Sequence, residues 1–127
     1  MIRAVMATDS HLTLLTRAGL PIEKFAAGEV IFLEGSAGRK MYVVYSGRVR
    51  IERMGETIEE LSAGDSFGEM ALIDGAPRSA TARAETKCEV APITEKAFLH
   101  LVHDTPLFAL TIMHNLADRL RRANERR

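Results

Sequence analysis

Residues 67–82 read Phe-Gly-Glu-Met-Ala-Leu-Ile-Asp-Gly-Ala-Pro-Arg-Ser-Ala-Thr-Ala, and the polar side chains among them are of types that together hold an anion and a hydroxyl. Gly68-Glu69 leads into a helical turn at Met70, Ala71, Leu72 and Ile73, too short to serve as a packing helix. Backbone N–H groups at such a start are available to an anion, and Gly68 lets a ligand approach the main chain closely. Asp74-Gly75-Ala76-Pro77 turns the chain back. Arg78-Ser79, with Ala80 after them, then opens a strand that offers a guanidinium fork and a hydroxyl to the same place. An arginine, a hydroxyl and a helix start around one anion read as a phosphate site. Glu69 cannot serve that phosphate, because like charges repel; a carboxylate suits hydroxyl donors such as a ribose 2′-OH. Phosphate and free 2′-hydroxyl together point to a ribonucleotide. Singly, these signals are weak: an acidic residue at a helix start needs no function, and a lone arginine is ordinarily a solvated surface charge.

Such a site needs a rigid frame, and the stretch 25–93 has the texture of one. Short apolar runs at 29–33, 41–45, 49–51, 57–61, 80–84 and 89–93 read as strands, with Gly28, Gly35, Gly38, Gly47, Gly55 and Gly64 between them or at their edges. Arg48-Val49-Arg50-Ile51-Glu52 alternates, which implies one wet and one buried face. Many short strands with glycine turns suggest a barrel or jelly roll. A faint internal echo, Phe25-Ala26-Ala27-Gly28-Glu29 against Leu61-Ser62-Ala63-Gly64-Asp65, is too short to count as a repeat. Helices flank the strands. Residues 9–18 form a short one, capped by Asp9 or Ser10 and ended by Gly19 and Pro21. Thr94 caps a second that carries Phe98, Leu101 and Val102 on one face, and Thr105-Pro106 starts a third. The apolar stripe of the third is Ala109, Ile112, Met113, Leu116, Ala117 and Leu120, read first as a face packed on the barrel. A dimer seam is the alternative, since Leu110, Met113, Ala117 and Leu120 step by three and four.

The 127 residues fit a single domain, 1–127, without an internal linker. Lys and Arg total 17, as do Asp and Glu, so no global field draws the chain to nucleic acid or to an anionic membrane, and no DNA binding by this chain alone is expected. The single cysteine, Cys88, suits a reducing compartment and reads as an inert strand residue. Neither a signal-peptide core nor a run of about 20 apolar residues is present, so a cytoplasmic location is expected. His100 and His103 lie three apart, but no third metal ligand accompanies them. A cupin-type metal enzyme would need histidines on the strands, and 25–93 has none. No nucleophile stands with a histidine either, so neither catalytic nor metal-binding residues are expected. The arginines at 119, 121, 122, 126 and 127 read as a solvated helix end.

Residues 67–84 resemble the phosphate-binding cassette of the cyclic-nucleotide-binding domain family, to which the catabolite activator protein, kinase regulatory subunits and cyclic-nucleotide-gated channels belong. The resemblance extends through Gly28-Glu29-Val30-Ile31-Phe32, Met41-Tyr42-Val43-Val44, Ser46-Gly47 and Gly64-Asp65 to the paired helices. It implies a mainly β fold with flanking α, an eight-stranded antiparallel jelly-roll barrel with an N-terminal helix and two C-terminal helices. By that likeness Glu69 holds a ribose 2′-hydroxyl, while Arg78, Ser79 and the amides of Met70, Ala71 and Leu72 hold a cyclic phosphate, with Gly68 and Ala80 beside them. The end of the last helix, at Arg119, Arg122 and Asn124, faces the base, although Ala123 stands where the catabolite activator protein has a base-contacting threonine. The implied ligand is a 3′,5′-cyclic purine nucleotide, cyclic AMP ahead of cyclic GMP, with no cofactor and no enzymatic activity. Ligand would draw the short helix inward and the C-terminal helices would repack, a population shift read by an unidentified effector protein. Neither a helix-turn-helix after the last helix nor membrane spans before the barrel are expected, and a monomer or a weak homodimer through the C-terminal helix is expected. A partner-binding barrel that uses no nucleotide, or a sensor excised from a larger regulator or channel, are the alternatives.

Overall fold

A computed structural model describes residues 19–125, and the helix expected over 9–18 lies outside the described residues. Eight strands follow: β1 (Glu23–Phe25), β2 (Val30–Phe32), β3 (Lys40–Ser46), β4 (Val49–Arg53), β5 (Glu56–Leu61), β6 (Ser66–Phe67), β7 (Thr81–Ala84) and β8 (Cys88–Thr94). Among the described residues three helices complete the fold: the single turn α1 (Met70–Ile73), α2 (Glu95–Asp104) and α3 (Pro106–Glu125). The strands make two four-stranded antiparallel sheets, ordered β1-β8-β3-β6 and β2-β7-β4-β5, which is the jelly-roll arrangement. Six strands coincide with the apolar runs. β1 and β6 do not, because three and two residues are too few to show an alternation; pairing with β8 and β3 makes them strands.

Pleating explains how the sheets bury their faces. In β3, Tyr42 and Val44 point into the barrel, and Met41 and Val43 point outward against the helices, so all four are buried in a row. β4 has one cover only: Val49 and Ile51 are buried, while Arg50 and Glu52 face outward. There Glu52 pairs with both Arg50, at 2.7 Å, and Arg83, at 3.2 Å. Those hydrogen bonds and charges hold its carboxyl below the usual glutamate range, the Arg50 hydrogen bond foremost. The second core, outside the barrel, joins Met41, Val43, Ala91 and Ile93 to Leu101 of α2 and to Phe108 and Ile112 of α3.

The helix starts follow the sequence. The Thr94 hydroxyl accepts from the Ala97 amide at 3.1 Å, capping α2. α3 opens on Pro106, after Thr105 has closed α2 through its amide to the Leu101 carbonyl at 2.8 Å. The buried face of α3 is rotated from the one expected. Phe108, Thr111, Ile112 and Leu116 turn to the barrel, whereas Leu110, Met113, Ala117 and Leu120 are exposed. Phe108, wedged edge-on against Phe98 at 5.7 Å between ring centroids, sets this rotation.

The internal echo is realised as two copies of one turn. Glu29 N–H donates to the Ala26 carbonyl at 3.0 Å, and the Glu29 carboxylate accepts from Ala26 N–H at 2.7 Å. Asp65 and Ser62 exchange the same two bonds, at 3.0 and 2.9 Å. Each turn carries the chain from one sheet to the other, β1 to β2 and β5 to β6.

Candidate functional site

Arg78 is the focus of the site. It lies just before β7 and is buried, at 7% exposure, over an aromatic floor. Its guanidinium carbon stands 4.0 Å from the centroid of the Phe32 ring, and Phe32 leans on the stacked pair Tyr42 and Phe67. Nη2 donates to the Lys40 carbonyl at 2.8 Å and Nη1 to the Gly68 carbonyl at 3.2 Å, while the buried Nε has no hydrogen-bond partner. Among the described residues no carboxylate is paired with this arginine. Desolvation accordingly moves its pKa down, with the nearby Tyr42 hydroxyl opposing the shift.

Two glycines make room for the guanidinium. A side chain on Gly68, where φ is +78°, would press its Cβ to 2.8 Å from Nη1. At Gly38 the Cβ would come within 2.3 Å of Nε. Sequence reasoning assigned Gly38 to a turn, and nothing in its neighbours signals that it flanks an arginine 40 positions later.

Glu69 is buried too, at 8% exposure, and its charge is balanced from the other side. Its Oε2 accepts from the Ser66 hydroxyl at 2.5 Å and from Arg119 Nη1 of α3 at 3.2 Å. Arg119 spends its remaining edge on Glu59 of β5, giving Nε to Oε2 at 2.8 Å and Nη2 to Oε1 at 3.0 Å, and Nη1 also reaches the Ser66 carbonyl. Burial alone would lower the Arg119 pKa, but the Glu59 hydrogen bonds and the charges of Glu69, Glu59 and Asp65 outweigh it and raise the pKa. The two arginines thus shift oppositely. Arg119 has its anions; Arg78 lacks one.

Gly68, Glu69, Met70, Ala71, Arg78, Ser79, Ala80 and Arg119 line one cavity of about 140 Å³, floored by Phe32, Ile51 and Phe67. Three expected site residues fall elsewhere. Leu72 turns its side chain into the second core. Its amide and that of Ala71 are spent within the α1 turn, on the Glu69 and Gly68 carbonyls at 2.9 and 3.3 Å. Arg122 is exposed, with Nη2 4.0 Å from Glu59. Asn124, five residues beyond Arg119 on α3, is exposed and does not line the cavity. Glu59 and Asn115, which donates to Asp65 at 3.2 Å, were missed: each meets its partner across 50 or more positions, beyond any local pattern. His100 and His103 both reach Asp104, at 3.2 Å, on the surface of α2.

A family model described as "Cyclic nucleotide-binding domain" matches residues 22–105, from just before β1 to the end of α2. The chain belongs to this family. The cyclic-nucleotide-binding domain seen here is similar to the Cyclic AMP receptor protein of Thermus thermophilus, with 36% identity over 105 residues, 79% of this chain and 49% of that protein. It is 30% identical over 120 residues to the CRP-like cAMP-activated global transcriptional regulator of Mycobacterium tuberculosis, 91% of this chain and 53% of that one. The crystal structure of Thermus thermophilus Catabolite Activator Protein superposes with a TM-score of 0.73 at 32% identity, over 93% of this chain and 55% of that chain. The domain therefore spans about half the length of these relatives. Arg119 comes from α3, outside the segment that the family model covers.

Proposed function

We propose that this chain is a sensor module that binds a 3′,5′-cyclic purine nucleotide, cyclic AMP ahead of cyclic GMP, and signals to an effector protein by moving its C-terminal helices, without catalysing a reaction. The observation that carries the reading is Arg78: a buried cation lining the cavity, with one N–H unpartnered and no carboxylate paired with it among the described residues. A cyclic phosphate supplies the missing charge and acceptor, with the Ser79 hydroxyl at its edge. Glu69 has one carboxylate oxygen committed to Ser66 and Arg119 and turns the other to a ribose 2′-hydroxyl. The preference for cyclic AMP rests on the two relatives whose names carry it. Calorimetric titration with cyclic AMP and cyclic GMP tests the reading; no heat of binding with either would end it.

Gly38 supplies a sharper test. Its backbone has no positive φ, so Gly38→Ala adds a methyl without backbone strain, and the methyl displaces the guanidinium from between the Lys40 and Gly68 carbonyls. Loss of one charge-assisted hydrogen bond predicts cyclic AMP affinity weaker by about tenfold or more. Unchanged affinity would separate the ligand from Arg78.

A second reading concerns assembly. Leu110, Met113 and Leu120 are 62%, 62% and 63% exposed along one stripe of α3, stepping by three and four through Ala117. That spacing fits a weak homodimer through α3. Sedimentation equilibrium should show a concentration-dependent dimer that Met113→Glu removes. A parent that remains monomeric throughout would contradict it.

A further inference from the structure

We propose that Glu59 is a positioning residue for ribose recognition, acting through Arg119 on Glu69; the role rests on the nucleotide reading above. Glu59 sits on β5 opposite Ile51 of β4, which lines the cavity, and its side chain is mostly buried. It grips Arg119 with both carboxylate oxygens, taking Nε and Nη2 at 2.8 and 3.0 Å. Held by that edge, Arg119 meets Glu69 through Nη1, on Oε2, the oxygen that the Ser66 hydroxyl also holds. The Glu69 carboxylate is so restrained at one oxygen while Oε1 remains available to the cavity.

Without Glu59 the fork behaves differently. A buried guanidinium with an unpaired edge seeks a second carboxylate oxygen, since bidentate Arg–carboxylate pairs are the favoured geometry. Glu69 is the nearest acid that can supply one. Arg119 then takes Oε1 as well, and the acceptor for the ribose hydroxyl is consumed by the protein itself. Glu59 thus limits how much of Glu69 the α3 arginine holds. In this way it keeps the ribose acceptor free. Nothing in the sequence around Thr57-Ile58-Glu59-Glu60 marks this acid out from its neighbour Glu60, which pairs in register with Arg50 on the outward face of the same sheet.

The experiment compares cyclic AMP with 2′-deoxy cyclic AMP, which lacks the hydroxyl, on the parent and on the isosteric variant Glu59→Gln. A hydrogen bond from a hydroxyl to a buried carboxylate predicts that the parent prefers cyclic AMP by roughly tenfold or more. In Glu59→Gln that preference should fall by about tenfold, with the affinity for 2′-deoxy cyclic AMP nearly unchanged. A general loosening of the pocket would weaken both ligands alike and would overturn the role. So would a preference equal to the parent's. Because the effect passes through Arg119, Glu59→Gln introduced into an Arg119→Met background should leave the preference where that background set it. An undiminished effect there would overturn the relay. A parent that binds neither nucleotide overturns the functional reading and this role with it, whereas a parent that binds cyclic AMP with an unaltered preference in Glu59→Gln overturns the role alone.

Discussion

Arg78→Ala should abolish measurable binding of cyclic AMP while the barrel remains folded. Removing one partner of a desolvated, hydrogen-bonded ion pair costs about 3–5 kcal/mol, which is on the order of 10²–10³-fold in affinity or more. The fold should tolerate the change because Arg78 contributes no ion pair of its own. Its truncation relieves a buried, unneutralised charge even as it leaves the Lys40 and Gly68 carbonyls without a donor. Arg78→Lys distinguishes charge from shape. An ammonium restores the positive charge but not the planar fork that donates to two carbonyls, so it should bind between the parent and the alanine variant. Titration calorimetry gives the affinities, and far-UV circular dichroism with thermal melting checks the fold. If Arg78→Ala titrates like the parent, the phosphate is held elsewhere and the assignment of the site is wrong.

Saturating cyclic AMP should slow amide exchange over residues 116–124 of α3 as well as over residues 67–82. The motivation is space. The cavity of about 140 Å³ is smaller than the ~300–1,000 Å³ of pockets that enclose small ligands. α3 lines it through Arg119. A purine larger than this space is expected to shift the helix, whose outer residues 121–125 are all exposed. Bound nucleotide should replace those solvent contacts with a stacked base near Arg119 and Arg122, with Asn124 brought within reach of a purine edge. At 100 times its dissociation constant the ligand adds about 2.7 kcal/mol to stability, so the whole barrel should also melt higher. Slowed exchange confined to residues 67–82, with α3 unchanged, would remove the last helix from the mechanism and leave a pocket that binds without signalling through it.

The parts of this protein that its sequence by itself determined are those in which neighbours along the chain decide the outcome. Residues 67–80 were legible because a glycine that must take φ above zero, a one-turn helix, a proline turn and an arginine all lie within one short stretch. Six of the eight strands and the starts of α2 and α3 were legible for the same reason, alternation and capping being local signals. Tertiary structure decided the rest. Four buried residues in succession along β3 mean nothing until a second layer of helices covers the outer face of that sheet. Which side of α3 is buried was settled by Phe108, whose ring finds Phe98 of the preceding helix; the apolar residues of α3 on their own fit two different faces. Only folding put the Gly38 backbone against the Arg78 guanidinium and Glu59 against Arg119, 60 positions away. An ion pair leaves no periodic trace in sequence, because its energy depends on distance through space and on burial, and both are properties of the packed barrel.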